Sequence, residues 1–246
     1  MIPDLRMVRM RFDLAKLFEL GHRRRLPLRQ VDLGYLLHCE LKELFGAEAP
    51  GPFSYDEPHG RMVPVLAYTR RNKDELVQHA ATFADPAVHA ACDMRGIEEK
   101  TMPRAWPSRA RFGFEVRACP VVRMSSAGEH HRKGAEVDAF LARCWKTKGA
   151  VEREAVYREW LDGELSRRGG VTLVSFRLEA FQRERLLRRD HAEDRRSHPT
   201  ERPDARFSGE LEVTDGPAFE TLLARGIGRH RAFGFGMLLL RPGRAC

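Results

Sequence analysis

Residues 226–240, GIGRHRAFGFGMLLL, decide how this chain is read. They begin where a helix should stop. Just upstream, residues 207–213 alternate like a half-buried strand, with Phe207, Leu211 and Val213 set against Ser208, Glu210 and Glu212. Asp215 can cap a helix that carries Pro217 near its first position. Ala218, Phe219, Leu222 and Leu223 give that helix an apolar face, and Gly226 suits the left-handed residue past its end. Residues 235–240 are short and apolar, which predicts a buried strand. The unit is therefore strand, helix, glycine-rich loop, strand. Arg229, His230 and Arg231 stand between Gly228 and the pair Gly234 and Gly236. Glycines let backbone N–H groups come close to an anion, and arginines add charge and forked donors, so phosphate contact is one reading. A tight turn with solvated arginines is the other. No Gly-Lys-Ser/Thr follows, which excludes an ATP-type phosphate loop.

The bulk properties agree with a polyanionic partner. The 246 residues suit one large domain or two small ones, and 42% hydrophobic residues suffice for real cores. The net charge is +8 and the isoelectric point about 9.6, which favours RNA or DNA over a membrane. Only seven of the 43 basic residues are lysine. Arginine forks suit bidentate phosphate and base-edge contacts, although a GC-rich genome enriches arginine for no physical reason. No apolar run has membrane-spanning length, and Arg6, Arg9, Arg11, Asp13 and Lys16 break any signal-peptide pattern near the N-terminus. Cys39, Cys92, Cys119, Cys144 and Cys246 are scattered, with no Cys-x-x-Cys, so the expectation is a reducing cytoplasm without disulfides or a zinc site.

Residues 31–45 form the second informative stretch. Asp32 stands at a helix start and Gly46 past its end. At about 100° per residue, Leu33, Leu37, Leu41 and Leu44 share one arc, while Tyr35, His38 and Lys42 gather on another. Tyr35 and His38, three apart, are neighbours and can do acid–base chemistry near an anion. Taken alone, a surface histidine is more often inert.

The rest of the chain supplies the frame. Residues 7–14 alternate as a first strand, and residues 21–30 read as a basic surface loop with Arg23, Arg24 and Arg25 adjacent. Residues 50–60 are turn-rich, 62–69 a strand, 74–84 a helix, and 97–102 a short strand. This fits a ferredoxin-like strand-helix-strand-strand-helix-strand unit lacking one clear strand, with a domain boundary at 103–107. Residues 110–124 open a second unit with Phe112, Phe114 and Val116 on one face. The adjacent His130 and His131 find no third ligand at metal-site spacing. Residues 137–145 and 151–167 read as helices and 171–178 as a strand. Residues 182–206, QRERLLRRDHAEDRRSHPTERPDAR, are dense in charge and interrupted by Pro199 and Pro203, which predicts a mobile insertion. It is either without function or, with Arg188, Arg189, Arg195 and Arg196, an arginine-rich arm that orders on RNA.

The C-terminal GIGRHRAFGFG with its apolar strand resembles the glycine-rich loop of the RAMP superfamily of CRISPR proteins. It is most similar to that of the CasE-type repeat-processing endoribonucleases, and a processing nuclease of the type IV systems fits as well. The resemblance extends to Tyr35-Leu36-Leu37-His38 on the first long helix, to the strand closing on Cys119-Pro120, and to the order of elements along nearly the whole chain. It implies an α+β fold of tandem ferredoxin-like (RRM-like) domains, residues 1–105 and 106–246, and a cytoplasmic protein that needs no cofactor. The implied partners are CRISPR repeat stem-loop RNA and its crRNA product, together with other Cas subunits of a surveillance complex.

The resemblance also implies a role for each candidate. His38 would be the acid–base residue of a metal-independent 2′-OH transesterification, with Tyr35 positioning the reacting group. Lys42, Gly228, Arg229, His230, Arg231, Gly234 and Gly236 would bind RNA, as would the arginines of the 182–206 arm. In a divergent member Arg23, Arg24 and Arg25 would share the work. Two other classes stay open: a non-catalytic RNA-binding RAMP subunit, and a general single-strand RNA binder that stacks bases on Phe112 and Phe114.

Overall fold

Two four-stranded antiparallel sheets carry the chain, each built by the same order of elements. The structure, a computed structural model, describes residues 3–26, 32–189 and 197–242. The first unit runs β1 (Arg6–Asp13), α1 (Leu14–Arg23), α2 (Leu33–Phe45), β2 (Phe53–Tyr55), β3 (Met62–Thr69), α3 (Lys73–Phe83), α4 (Pro86–His89) and β4 (Glu98–Thr101). Its strands lie in the order β2-β3-β1-β4. The second unit runs β5 (Arg111–Ala118), a small hairpin of β6 (Val121–Arg123) and β7 (Glu136–Asp138), α5 (Ala139–Cys144), α6 (Arg153–Arg168), β8 (Val171–Arg189), β9 (Ser197–Val213), α7 (Gly216–Arg225) and β10 (Leu239–Pro242). Its sheet order is β10-β5-β9-β8. In both sheets the fourth main strand lies beside the first, which lies beside the third, which lies beside the second. That is the ferredoxin-like arrangement, made twice.

The alternation read from the sequence places the core. Val8, Met10 and Phe12 of β1 are buried with Leu37, Leu41 and Leu44 of α2. In the second unit Phe114, Val116, Phe207, Leu211, Phe219 and Leu222 are buried together, and Leu5, Tyr68 and Met102 of the first unit join them. The two units are thus packed on one another. Tyr68 donates its hydroxyl proton to the Leu238 carbonyl at 2.9 Å, and Arg70 pairs with Glu220 at 2.9 Å. No helix of the described residues is long and apolar enough to cross a membrane.

Five expectations are corrected. The missing strand is β2, three residues inside the stretch read as turns; it pairs with β3 from Phe53↔Ala67 to Tyr55↔Val65. Residues 14–23 are helical: Asp13 accepts from the Ala15 and Lys16 amides, and Leu17 and Leu20 turn inward. The expected basic surface loop at 21–30 therefore begins as the end of α1. The last strand is Leu239–Pro242; residues 235–238 are buried but lead into it instead of pairing. Residues 182–189 and 197–206, read as a mobile insertion, form a ladder from Gln182↔Asp204 to Arg189↔Ser197. Only residues 205–212 of β9 pair with β5, so beyond them β8 and β9 run on as a two-stranded ribbon. Likewise Val137 belongs to β7, and the following helix starts at Ala139.

Candidate active site

The candidate site begins with the entry to α2. Asp32 accepts from the Tyr35 amide at 2.7 Å and fixes the helix start. The leucine arc then turns Tyr35, His38 and Lys42 toward a cleft of about 1370 Å³. The opposite wall comes from the other unit. After α7 ends at Gly226, the loop carries a 3-10 turn, Arg231–Phe233. Phe233 stacks on Tyr35 with ring centroids 5.8 Å apart and meets His38 edge-on at 5.2 Å. The catalytic candidates and the glycine-rich loop, nearly 200 residues apart in sequence, are in direct contact.

Gly34 makes that approach possible. A Cβ at this position would collide with the Phe233 carbonyl oxygen. Alanine for glycine in a helix ordinarily stabilises by up to about 1 kcal/mol. Here Gly34→Ala is expected instead to lower stability by about 1–3 kcal/mol, as overpacking does, and to displace Phe233 from Tyr35 and His38. Thermal melts and single-turnover cleavage rates check this together; a higher melting temperature would show that the contact is loose.

His38 is half-buried. Burial first, and then the charge of Lys42, lower its pKa below the ordinary imidazole value. The glycine loop brings further cations. Arg231 lies near Arg168 and Arg225, and burial with these like charges weakens its hold on its proton. It is still charged, as guanidinium always is at neutral pH, so the cleft concentrates positive potential. Arg123, Arg167, Arg202 and Arg229 line the same cleft.

One carboxylate organises part of this charge. Glu136 of β7 is 8% exposed; it pairs with Arg229 at 2.6 Å and Arg202 at 3.3 Å, and hydrogen-bonds His230 at 3.0 Å. The bond to His230, supported by the charges of His230, Arg229 and Arg202, lowers its pKa from the ordinary 4.5 to about 2 against the opposing effect of burial. A depressed carboxylate pKa contributes stability that is full above the unfolded value and is lost as pH falls through the folded one. Acid unfolding should therefore take away the Glu136 contribution between about pH 4.5 and pH 2. Glu136→Gln should flatten that part of a stability–pH curve measured by urea titration, while a curve identical to wild type would remove Glu136 from the balance.

The glycines of the loop are pressed against protein. A Cβ at Gly228 would strike the Trp160 ring, and one at Gly234, where φ is 84°, the Tyr55 ring. The Gly236 amide donates to the Arg117 carbonyl at 2.7 Å. The segment turned to the cleft is residues 228–233, so Gly234 and Gly236 shape the loop from behind.

The other candidates scatter. Arg23 pairs with Glu19 at 2.6 Å at the end of α1. Arg24 reaches α2, where it pairs with Glu43 at 2.6 Å and the buried Glu40 at 3.1 Å. Arg25 is exposed in a left-handed conformation. None of the three lines the cleft. Arg188 and Arg189 are in the ribbon, opposite His198 and Ser197; Arg195 and Arg196 lie outside the described residues. Sequence reading missed Phe233, Glu136 and the Arg167–Arg168 pair. The last had a signal, two cations in the final turn of α6 before Gly169-Gly170. Glu136 had none.

It also missed Arg117 of β5. Its side chain is 9% exposed and binds Asp204 through Nε at 3.0 Å, and also Glu184. The guanidinium lies 4.4 Å from the centroid of Phe235 and 4.8 Å from that of Tyr55. It thereby joins the base of the ribbon, the glycine loop and the first unit.

Comparison with known proteins places the fold. The fold is similar to that of the CRISPR endoribonuclease Cse3 bound to a 19-nucleotide RNA, with 19% identity over 97% of this chain and 100% of that one and a TM-score of 0.64. It is also similar to Thermus thermophilus Cse3 bound to an RNA representing a pre-cleavage complex, with 17% identity over 97% and 100% of the two chains and a TM-score of 0.60. Cas6e of Escherichia coli K-12 shares 15% identity over 96% and 99%, with a TM-score of 0.61. Among curated proteins none matches in sequence. The family model described as "CRISPR associated protein" matches residues 8–242. That match runs from within β1 to the end of β10 and takes in both walls of the cleft, so the chain belongs to the CRISPR associated protein family.

Proposed function

We propose that this protein is a metal-independent, cytoplasmic endoribonuclease that cuts CRISPR precursor RNA at the repeat stem-loop and keeps hold of the crRNA product. The observation that carries the reading is the contact of Tyr35 and His38 with Phe233 in an arginine-lined cleft. The structural neighbours include Cse3 chains bound to RNA and a chain of a CRISPR RNA-guided surveillance complex. By the same proposal the protein joins other Cas subunits, and residues 1–105 and 106–246 act as its two domains.

The chemistry is transesterification. The ribose 2′-oxygen bonds to the adjacent phosphorus, the bond from phosphorus to the 5′-oxygen breaks, and the ends are a 2′,3′-cyclic phosphate and a 5′-hydroxyl. One proton leaves the 2′-OH and one reaches the 5′-oxygen. The lowered pKa of His38 favours its neutral form near pH 7, suited to accept the first proton. Tyr35 orients the reacting nucleotide. Lys42, Arg229 and Arg231 stabilise charge on the phosphorane, and Arg188 and Arg189 of the ribbon, together with Arg195 and Arg196, hold the stem.

The test is cleavage of labelled repeat RNA in excess EDTA by wild type and His38→Ala. A single cut by wild type only supports the reading. Tight binding without a cut by either favours a non-catalytic RNA-binding subunit, and a cut abolished by EDTA overturns metal independence.

A further inference from the structure

A cluster of aromatic rings lies outside the cleft, at the tip of the β6–β7 hairpin and the end of α5. Trp145, which caps α5, is 40% exposed. The His130 ring lies 5.0 Å from it, and His131 is stacked on it at 5.7 Å with 22° between the planes. Gly128 leaves room for this: a Cβ there would strike the His131 ring, which lies against the hairpin backbone. The other two tryptophans, Trp106 and Trp160, are buried. Nothing in the core explains three rings gathered at the surface.

The charge around the rings has one sign in excess. Arg132 and Lys133 follow the histidines, and Lys146 and Lys148 follow Trp145; all four are exposed. Glu129 is the acidic neighbour on the hairpin, 4.0 Å from His130. Partly exposed rings beside flexible cations match unpaired nucleotides, since every base offers a π-face and every nucleotide a phosphate. A duplex does not fit as well, because A-form RNA keeps its bases stacked inside. One hairpin serves both places: Val121, Val122 and Arg123 of β6 and Glu136 of β7 form part of the cleft wall, and the same hairpin carries His130 and His131 at its far end.

We propose that His130, His131 and Trp145 form a stacking platform for single-stranded RNA leaving the cleft beside a bound stem. The proposal rests on the RNA-cleaving reading given above, and it adds a second contact that recognises unpaired flanks.

The experiment compares three RNAs: the repeat stem-loop alone, the same stem-loop with a single-stranded extension on either side, and an unstructured oligo(U). Wild type is expected to bind an extended RNA more tightly than the bare stem-loop. Trp145→Ala should remove that gain, by roughly 5- to 150-fold as base–aromatic stacking predicts, and leave binding and cutting of the bare stem-loop unchanged. Trp145→Phe should retain most of it, and a double Lys146→Gln, Lys148→Gln variant should reduce the salt dependence of the gain. Oligo(U) should quench tryptophan fluorescence in wild type, and that quenching should be lost in Trp145→Phe, which separates Trp145 from Trp160 in the cleft wall. Equal affinity of wild type for bare and extended RNAs, no quenching by oligo(U), or an equal loss on every RNA in Trp145→Ala would overturn the platform. Failure of wild type to bind the bare stem-loop would instead overturn the RNA-cleaving reading, while the oligo(U) result still decides the platform.

Discussion

Replacing His38 with alanine is expected to slow single-turnover cleavage of repeat RNA by about 10²–10⁴-fold, the value of a well-placed acid or base, and to leave RNA affinity nearly unchanged. The ring is held from the side by Phe233 and shares its helix face with Lys42, so a proton acceptor stands in a fixed orientation beside a cation. Affinity should survive because the cleft's arginines remain. The pH profile gives a second readout. Burial and Lys42 lower the His38 pKa, so the neutral form persists to lower pH than for an ordinary imidazole. The acidic limb of the cleavage rate should lie below the usual pH ~6.5, and Lys42→Gln should move it upward. A His38→Ala enzyme that cuts at the wild-type rate would pass the chemistry to Tyr35 and the arginines.

Arg117→Met should be the most destabilising single change described here, at about 3–5 kcal/mol, because it strips a buried charge pair of one partner. Methionine keeps the packing over Tyr55 and Phe235 but abandons Asp204 and Glu184. Burial already raises the Glu184 pKa to about 7 against the opposing pull of Arg117. Without that cation Asp204 and Glu184 lose their shared positive partner. The gap between wild type and variant should thus be widest above pH 7, where Glu184 is charged, and narrow as the pH falls and Glu184 is neutralised. Urea unfolding at pH 8 and pH 5 measures it; a gap that is small or independent of pH would show that the pair is not what holds these elements. Because Arg117 also holds Phe235 and the ribbon base, the variant should cut RNA more slowly even where it is folded.

The features readable from sequence were those set by local periodicity. Leu33, Leu37, Leu41 and Leu44 fixed the face of α2, so Tyr35, His38 and Lys42 could be placed together before any tertiary contact was known. Asp215, Pro217 and Gly226 marked both ends of α7. Features made by distant residues were hidden. Glu136 matters because residues 202, 229 and 230 converge on it, and Phe233 because α2 stands opposite; neither has a local pattern. The strand at Phe53–Tyr55 was masked by its length and by prolines and glycines around it. The charged run at 182–206 looked disordered because it has few apolar residues after Leu187, yet residues 182–189 and 197–206 join a backbone ladder continuous with the core strands. Arg24 looked like a phosphate ligand, but Glu40 and Glu43, one helix away, take its charge.

The ribbon beyond the core has a consequence for solubility. From Gln182 to Arg189 and from Ser197 to Asp204 it extends for eight residues per strand, about 27 Å at the usual rise, with both outer edges beyond the sheet. Such edges invite pairing with another chain. Pro199 and Pro203 deny two amide donors to any incoming strand, since proline is tolerated in a ladder only where its missing N–H would point outward. Closely spaced arginines and carboxylates discourage stacking of one ribbon on the next. Replacing those prolines with valine would restore two outward donors and favour self-association through the ribbon's edge.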